Sequence, residues 1–147
     1  MLKLFFDTNI VMALVMSQSG ASYELYRLAL EEPGQLQLCI SDYVFLEAEE
    51  VFTRQNKPKY LAQLETIKHQ PVWMQTTTTV TEDDKAGEVV NDPDDAVIIA
   101  GAKKAKVNAL VSFDRKHLHT KTVANYIGAP VVTAGEALQM VRDEQTK

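Results

Sequence analysis

The fold is decided by two short segments, Leu2-Lys3-Leu4-Phe5-Phe6-Asp7 and Leu110-Val111-Ser112-Phe113-Asp114. Each is an apolar run that ends on an aspartate, and a short continuous apolar run is typical of a strand buried on both faces. Helical patterns lie between the strands, which predicts an α/β fold with a mainly parallel sheet covered on both faces. Because parallel strands end at one edge of their sheet, we expect Asp7 and Asp114 in the ligand-binding crevice at that edge.

The rest of the chain alternates between the same two kinds of element. The clearest helix begins at Asp92-Pro93, because Asp is a good N-cap and Pro suits the first helical position. The other predicted strands are Gln37–Ile40, Val72–Val80 and Val131–Val132. Three further helices are predicted over Ala21–Leu30, around Val123–Ile127 and over Ala134–Arg142. Another helix is predicted from Ser41 or Asp42 to about Arg54, and the next one follows the Asn56-Lys57-Pro58 break and runs through Lys68.

Length and composition limit the possible classes of protein. The chain has 147 residues with no internal repeat or long linker, so residues 1–147 are expected to form a single domain. Cys39 is the only cysteine, which excludes an intramolecular disulfide and a cysteine-based zinc site. The net charge of −5 disfavours a general nucleic-acid coat protein but not a nuclease that clusters carboxylates around a metal. No signal peptide or membrane segment is apparent, and we expect a cytoplasmic protein.

Two helices contribute further acids. Helical periodicity places both Asp94 and Asp95 near the head of the apolar face of the helix that Asp92 begins, and it does not distinguish between them. In the helix that follows the second strand, Glu47 and Glu49 border the apolar arc on its two sides, and periodicity again does not choose. Alone, Asp94 or Asp95 is explained more simply as a capping acid stabilised by the helix dipole. A glutamate at the border of an apolar arc could face a cleft or simply extend to solvent.

Several carboxylates brought together would repel one another unless a cation were present. Magnesium or manganese fits carboxylate and water ligands better than zinc does. The chemistry that such a site serves is phosphoryl transfer, in which a metal-activated water attacks the phosphate. His117 and His119 have no third ligand nearby in the sequence, and we interpret them as surface residues.

The ordered motifs resemble those of PIN-domain ribonucleases of the VapC-like type, which are toxins of prokaryotic toxin–antitoxin pairs. The resemblance covers nearly the whole chain. Ser112 stands where Thr is commoner in the family, and Phe113 is bulkier than the residue often found there. The matching segments are Asp7-Thr8-Asn9, Ser41 with Glu47, Asp92-Pro93-Asp94-Asp95-Ala96, Leu110-Val111-Ser112-Phe113-Asp114, and the closing Pro130–Leu138.

This resemblance implies a PIN-like three-layer α/β/α fold and a Mg²⁺- or Mn²⁺-dependent endoribonuclease. It selects Glu47 over Glu49 and Asp95 over Asp94. It also implies an antitoxin partner and a homodimer. The implied metal ligands and catalytic residues are Asp7, Glu47, Asp95 and Asp114, with Thr8, Asn9, Asp92 and Ser112 as supporting residues around them.

Basic residues follow the last of these acids. Arg115 and Lys116 directly follow Asp114, so we expect them to contact RNA phosphates beside the metal. Two alternative functions stay open. A haloacid-dehalogenase-like phosphatase would need a second Asp two residues after Asp7, where this chain has Asn9. A PIN-like module that binds RNA or protein without catalysis would not need the four acids.

Overall fold

The computed structural model of the protein describes residues 1–77 and 85–147. Within these ranges five strands form one sheet, and every pairing in it is parallel. The strand order is β3-β2-β1-β4-β5. The strands are β1 (Leu2–Phe6), β2 (Leu36–Ser41), β3 (Trp73–Thr76), β4 (Ala109–Val111) and β5 (Val131–Val132).

Helices flank the sheet on both faces, which confirms the predicted three-layer α/β/α fold. The described residues form eight helices: α1 (Thr8–Met16), α2 (Ala21–Glu31), α3 (Asp42–Arg54), α4 (Pro58–Lys68), α5 (Ala86–Val89), α6 (Pro93–Ala105), α7 (Lys121–Ile127) and α8 (Ala134–Gln145).

The structure differs from the sequence prediction at four elements. Helices α1 and α5 were not predicted. Of the strand expected over Val72–Val80, the described residues form β3 over Trp73–Thr76, and residues 78–80 lie outside the described residues. Strand β4 ends at Val111, two residues earlier than predicted, so Ser112 and Phe113 belong to the loop that leads to Asp114.

The strand order creates a crevice beside the central strand. From β1 the neighbouring strands are β2 on one side and β4 on the other, so connections leave the sheet in opposite directions at this point. Ligands of open α/β sheets bind at such a point, outside the carboxyl ends of the strands. Phe6 pairs with Val111, and the Asp7 backbone N–H donates to the Val111 carbonyl over 3.0 Å. The two strand ends are therefore held side by side.

The core is continuous on both sides of the sheet. Strand β1 is buried almost throughout, and the rings of Phe6, Phe45 and Tyr26 all contact the indole of Trp73. The Trp73 indole N–H donates to the Ile67 carbonyl over 2.9 Å. This packing fixes β3, α2 and α3 around the sheet and leaves its carboxyl edge open. Among the described residues, no helix is long and apolar enough to cross a membrane.

Candidate active site

A cavity of about 490 Å³ opens at the carboxyl edge of the sheet. It brings together Asp7 at the end of β1, Glu47 of α3, Asp95 of α6 and Asp114 in the loop after β4. These four predicted residues thus reach the same cavity from four separate elements. Its other lining residues are Thr8, Asn9, Met12, Tyr43, Glu50, Val51, Arg54 and Asp94.

The Ser112 hydroxyl links the two aspartates that follow strands. It donates to Asp7 Oδ2 over 2.6 Å and accepts from the Asp114 backbone N–H over 3.0 Å. The second Asp7 oxygen accepts from the Thr8 backbone N–H over 2.7 Å, so Asp7 also caps α1. These bonds hold Asp7 in one orientation and set the position of the Asp114 backbone beside it.

Both Asp7 and Asp95 are poorly suited to carry a charge in this protein. The pKa of Asp7 is raised from its ordinary value of 3.8 to about 6, mainly by burial. The hydrogen bonds from Ser112 and Thr8 oppose this shift, and the charges of Glu47 and Asp114 contribute to it. The pKa of Asp95 is also raised to about 6, mainly by burial, with the charges of Asp92, Asp114 and Asp7 contributing and the nearby His117 opposing the shift. The mutual repulsion follows from carboxylates crowded without a counter-charge.

Contacts on α3 separate Glu47 from Glu49. Glu49 Oε1 lies 3.5 Å from the Lys68 ammonium on α4, away from the cavity that Glu47 lines. The Tyr43 hydroxyl lies between Glu47, whose Oε2 is 3.3 Å away, and the carboxylate of Asp94 on α6, with which it also forms a hydrogen bond. Tyr43 therefore connects the two helices across the cavity. Nothing in the sequence pattern indicated this role.

The start of α6 assigns different positions to its three aspartates. Asp92 is the N-cap, and its Oδ1 accepts from the Asp94 backbone N–H over 2.8 Å. Asp94 contacts Tyr43, whereas Asp95 lies toward Asp7 and Asp114, as their shared electrostatic effect shows. Asp92 therefore supplies the helix cap, and Asp95 is not needed for it.

The loop after β4 places His117 at the site, although the sequence led us to interpret it as a surface residue. The backbone N–H of His117 donates to Asp114 Oδ1 over 3.0 Å, which turns the chain so that the His117 ring faces the same carboxylate. His117 Nδ1 lies 3.2 Å from Asp114 Oδ1 and 3.3 Å from Oδ2. His119 is half-buried, and its Nε2 lies 2.7 Å from the Ser112 carbonyl, to which it donates. The first histidine lies at the site and the second fastens the loop.

Two polar side chains of α1 complete the floor of the cavity. Thr8 Oγ1 is buried and has no hydrogen-bond partner among the described residues, although the residue lines the cavity. Asn9 Oδ1 accepts from the Phe113 backbone N–H over 3.3 Å and ties α1 to the loop after β4. Phe113 itself is 46% exposed and is not among the lining residues, so its bulk does not fill the cavity.

The positive charges near the site are distributed differently from the sequence expectation. Arg115 and Lys116 are exposed beside Asp114 but do not line the cavity. The pKa of Glu136 is lowered mainly by its hydrogen bond with the Thr133 backbone, and the charge of the nearby Arg115 contributes to this shift. Arg54, at the end of α3, does line the cavity. It was missed because a basic residue in the last turn of a helix is ordinary.

Comparison with known families fits this arrangement. The family model of the PIN domain matches residues 3–116, which include Asp7, Glu47, Asp95 and Asp114. The chain belongs to the PIN domain family. No curated protein matches the sequence.

Two solved structures illustrate the shared fold. PAE2754 from Pyrobaculum aerophilum superposes with a TM-score of 0.64 at 13% identity, over 97% of this chain and 96% of that one. VapC20 of Mycobacterium tuberculosis, described as a Sarcin-Ricin loop cleaving toxin, superposes with a TM-score of 0.55 at 18% identity, over 77% of this chain and 91% of that one. Similarity at this level of identity establishes the fold.

Proposed function

We propose that this PIN-domain protein is a metal-dependent endoribonuclease that hydrolyses phosphodiester bonds of RNA. The observation that carries the proposal is the convergence of Asp7, Glu47, Asp95 and Asp114 from four elements into one cavity. Membership of the PIN domain family supports it, and so does the fold shared with VapC20, a toxin that cleaves the Sarcin-Ricin loop.

The donor set fits a hard divalent cation. Mg²⁺ and Mn²⁺ take carboxylate oxygens and water, and the raised pKa values of Asp7 and Asp95 indicate negative charge that a cation would relieve. The unpartnered Thr8 Oγ1 leaves a buried polar atom for a coordinated or bridging water. Asp7, Glu47, Asp95 and Asp114 would hold the cation, which when bound activates a water and neutralises charge on the phosphate.

The protein's own residues then orient the reaction. Ser112 keeps Asp7 and Asp114 together, and Tyr43 holds Glu47 on the opposite wall of the cavity. Arg54 at the cavity, with Arg115 and Lys116 outside it, would bind phosphates on the two sides of the scissile bond. The cavity is open at the sheet edge, which suits a polymer that passes across it.

The test is cleavage of RNA by the purified protein with Mg²⁺ or Mn²⁺. We expect cleavage that stops with chelator and that is abolished in Asp7→Asn and Glu47→Gln purified identically, because the amides keep size and lose the ligand charge. Glu49→Gln is the matched control, since Glu49 lies on the same helix and contacts Lys68 instead. Substantial cleavage that persists in Asp7→Asn, once shown to be free of contaminating nuclease, would contradict the role of Asp7 as a ligand. Absence of cleavage by wild type with any divalent metal would favour a non-catalytic binding module.

We also propose two protein partners. As in a VapC-like toxin, an antitoxin would block the cavity, and a second copy of the chain would form a homodimer. Leu46 on α3 is 59% exposed, as expected for an apolar side chain at an interface. Light scattering across micromolar concentrations tests the dimer, and a monomer throughout that range would contradict it.

A further inference from the structure

We infer that His117 is a ligand of the bound cation and that its imidazole makes the site prefer Mn²⁺ over Mg²⁺. The inference rests on the proposed metal site and adds a nitrogen donor to the four carboxylates. Asp95, Asp114 and His117 each present one ligand atom, and these atoms lie within 4.8 Å of one another.

The distances match those between ligands that share a small cation. First-row metals hold nitrogen and oxygen ligands at about 2.0–2.2 Å, so two adjacent ligands lie about 3 Å apart and two opposite ligands about 4.0–4.4 Å apart. His117 Nδ1 lies 3.2 Å and 3.3 Å from the two oxygens of Asp114, as adjacent ligands would. The Asp95 ligand atom lies within 4.8 Å of both others, close enough for small side-chain rotations to bring all three onto one cation.

The local sequence explains why this histidine faces the site. Asp114 and His117 are three residues apart, and the turn closed by the His117 N–H and the Asp114 carboxylate brings them to one side of the loop. His119 continues the same loop and anchors it through the Ser112 carbonyl. The loop is thus held at both ends of the Asp114–His117 pair. The ring of His117 is largely exposed, so turning toward a cation requires no repacking of the core.

The chemistry of the donor atom determines which cation binds more tightly when His117 is a ligand. Mg²⁺ strongly prefers oxygen ligands and keeps several waters, whereas imidazole is a good ligand for transition metals. An added imidazole therefore increases the affinity for Mn²⁺ and leaves the affinity for Mg²⁺ almost unchanged. Ligation through Nδ1 places the ring proton on Nε2.

The experiment measures binding and the ligand atom separately from activity. Titration calorimetry with Mn²⁺ and with Mg²⁺ is done on wild type, His117→Ala, His117→Gln and the control His69→Ala. His69 is a suitable control because it is also exposed and its Nδ1 lies 3.4 Å from one carboxylate, Glu65, and neither residue lines the cavity. Electron spin-echo spectroscopy of bound Mn²⁺ then reports whether an imidazole nitrogen is coordinated.

We expect wild type and His69→Ala to bind Mn²⁺ at least about tenfold more tightly than Mg²⁺, with a nitrogen signal from the bound Mn²⁺. Both His117 variants should lose the nitrogen signal and about tenfold in Mn²⁺ affinity, with Mg²⁺ affinity changed by less than about twofold. A nitrogen signal that survives in both variants, or equal Mn²⁺ affinity in all four proteins, would overturn the role of His117. RNA cleavage and metal binding by wild type would in that case still support the proposed function. Failure of wild type to bind either metal, together with no cleavage, would overturn both.

Discussion

At the scale of single residues, the Ser112 side chain links two of the proposed metal ligands, Asp7 and Asp114. Its hydroxyl donates to the buried Asp7 carboxylate and accepts from the Asp114 N–H, and the side chain is fully buried. We expect Ser112→Ala to lower the free energy of unfolding by about 1–3 kcal/mol, because a buried carboxylate loses a hydrogen-bond donor. Ser112→Thr should recover most of the loss, since it keeps the hydroxyl. Urea unfolding at pH 7 measures both, and an Ala variant as stable as wild type would mean that the bond contributes nothing.

Asp7 also predicts how the stability of the metal-free protein depends on pH. Its pKa is raised by folding to about 6, so the folded state binds the proton more tightly than the unfolded state does. The contribution to stability is complete below about pH 4 and is lost as the pH rises through 6, on the order of 3 kcal/mol in total. In chelator, wild type should therefore become more stable relative to Asp7→Asn as the pH is lowered from 7 to 5. A difference between the two proteins that stays constant with pH would contradict the raised pKa.

At the scale of elements, the start of α6 provides a separate test. Asp92 caps the helix through the Asp94 N–H, and its charge also raises the pKa of Asp95. Asp92→Ala should cost about 1 kcal/mol through loss of the cap, whereas Asp92→Ser keeps a capping oxygen and removes the charge. Thermal melting in chelator should therefore place Asp92→Ser at or above wild type and Asp92→Ala below it. Equal losses in both variants would show that the charge, rather than the cap, stabilises the helix start.

Most elements were predictable from local pattern, and the exceptions have physical reasons. Helix α1 carries no charged residue and has apolar side chains around most of its surface, with Ile10, Val11 and Leu14 buried, so no amphipathic period was visible. Helix α5 is only four residues long and follows the undescribed segment. The strands of the central sheet were predicted because buried parallel strands appear as continuous apolar runs.

The site was predictable only in part for the same reason. Asp7 and Asp114 follow from their places after two strands, since strand ends in a parallel sheet share an edge. Periodicity alone did not choose between Glu47 and Glu49 or between Asp94 and Asp95. Tertiary contacts distinguish the members of each pair, because Glu49 contacts Lys68 and Asp94 contacts Tyr43. Resemblance to the family chose Glu47, which lines the cavity where Glu49 does not, and chose Asp95, although Asp94 lines the cavity as well. His117 was missed because the turn that directs it depends on the Asp114 carboxylate.

At the scale of the whole molecule, the proposed function requires that a protein of net charge −5 bind RNA. Local basic residues must then supply the phosphate contacts. We expect Arg115→Ala to weaken binding of an RNA oligonucleotide, measured in the Asp7→Asn background to prevent cleavage, and to reduce the slope of log affinity against log salt by about one at most. Lys59→Ala, an exposed cation on α4, serves as control and should leave the slope unchanged. The same slope in Arg115→Ala and the control would make Arg115 an ordinary surface residue.

The carboxylates that meet in the cavity should couple metal binding to the stability of the whole fold. Metal binds only the folded arrangement, so Mn²⁺ at 100 times its dissociation constant should add about 2.7 kcal/mol. For a domain near this size, that free energy corresponds to an increase in melting temperature of about 5–11 °C. Asp95→Asn should be slightly more stable than wild type in chelator, because one of the crowded charges is gone and the helix cap is on Asp92, and it should show a smaller Mn²⁺ shift. Asp143→Asn, an exposed acid on α8, is the control and should keep the full shift. If wild type shows no shift and Asp95→Asn is less stable, Asp95 stabilises its helix and does not bind metal.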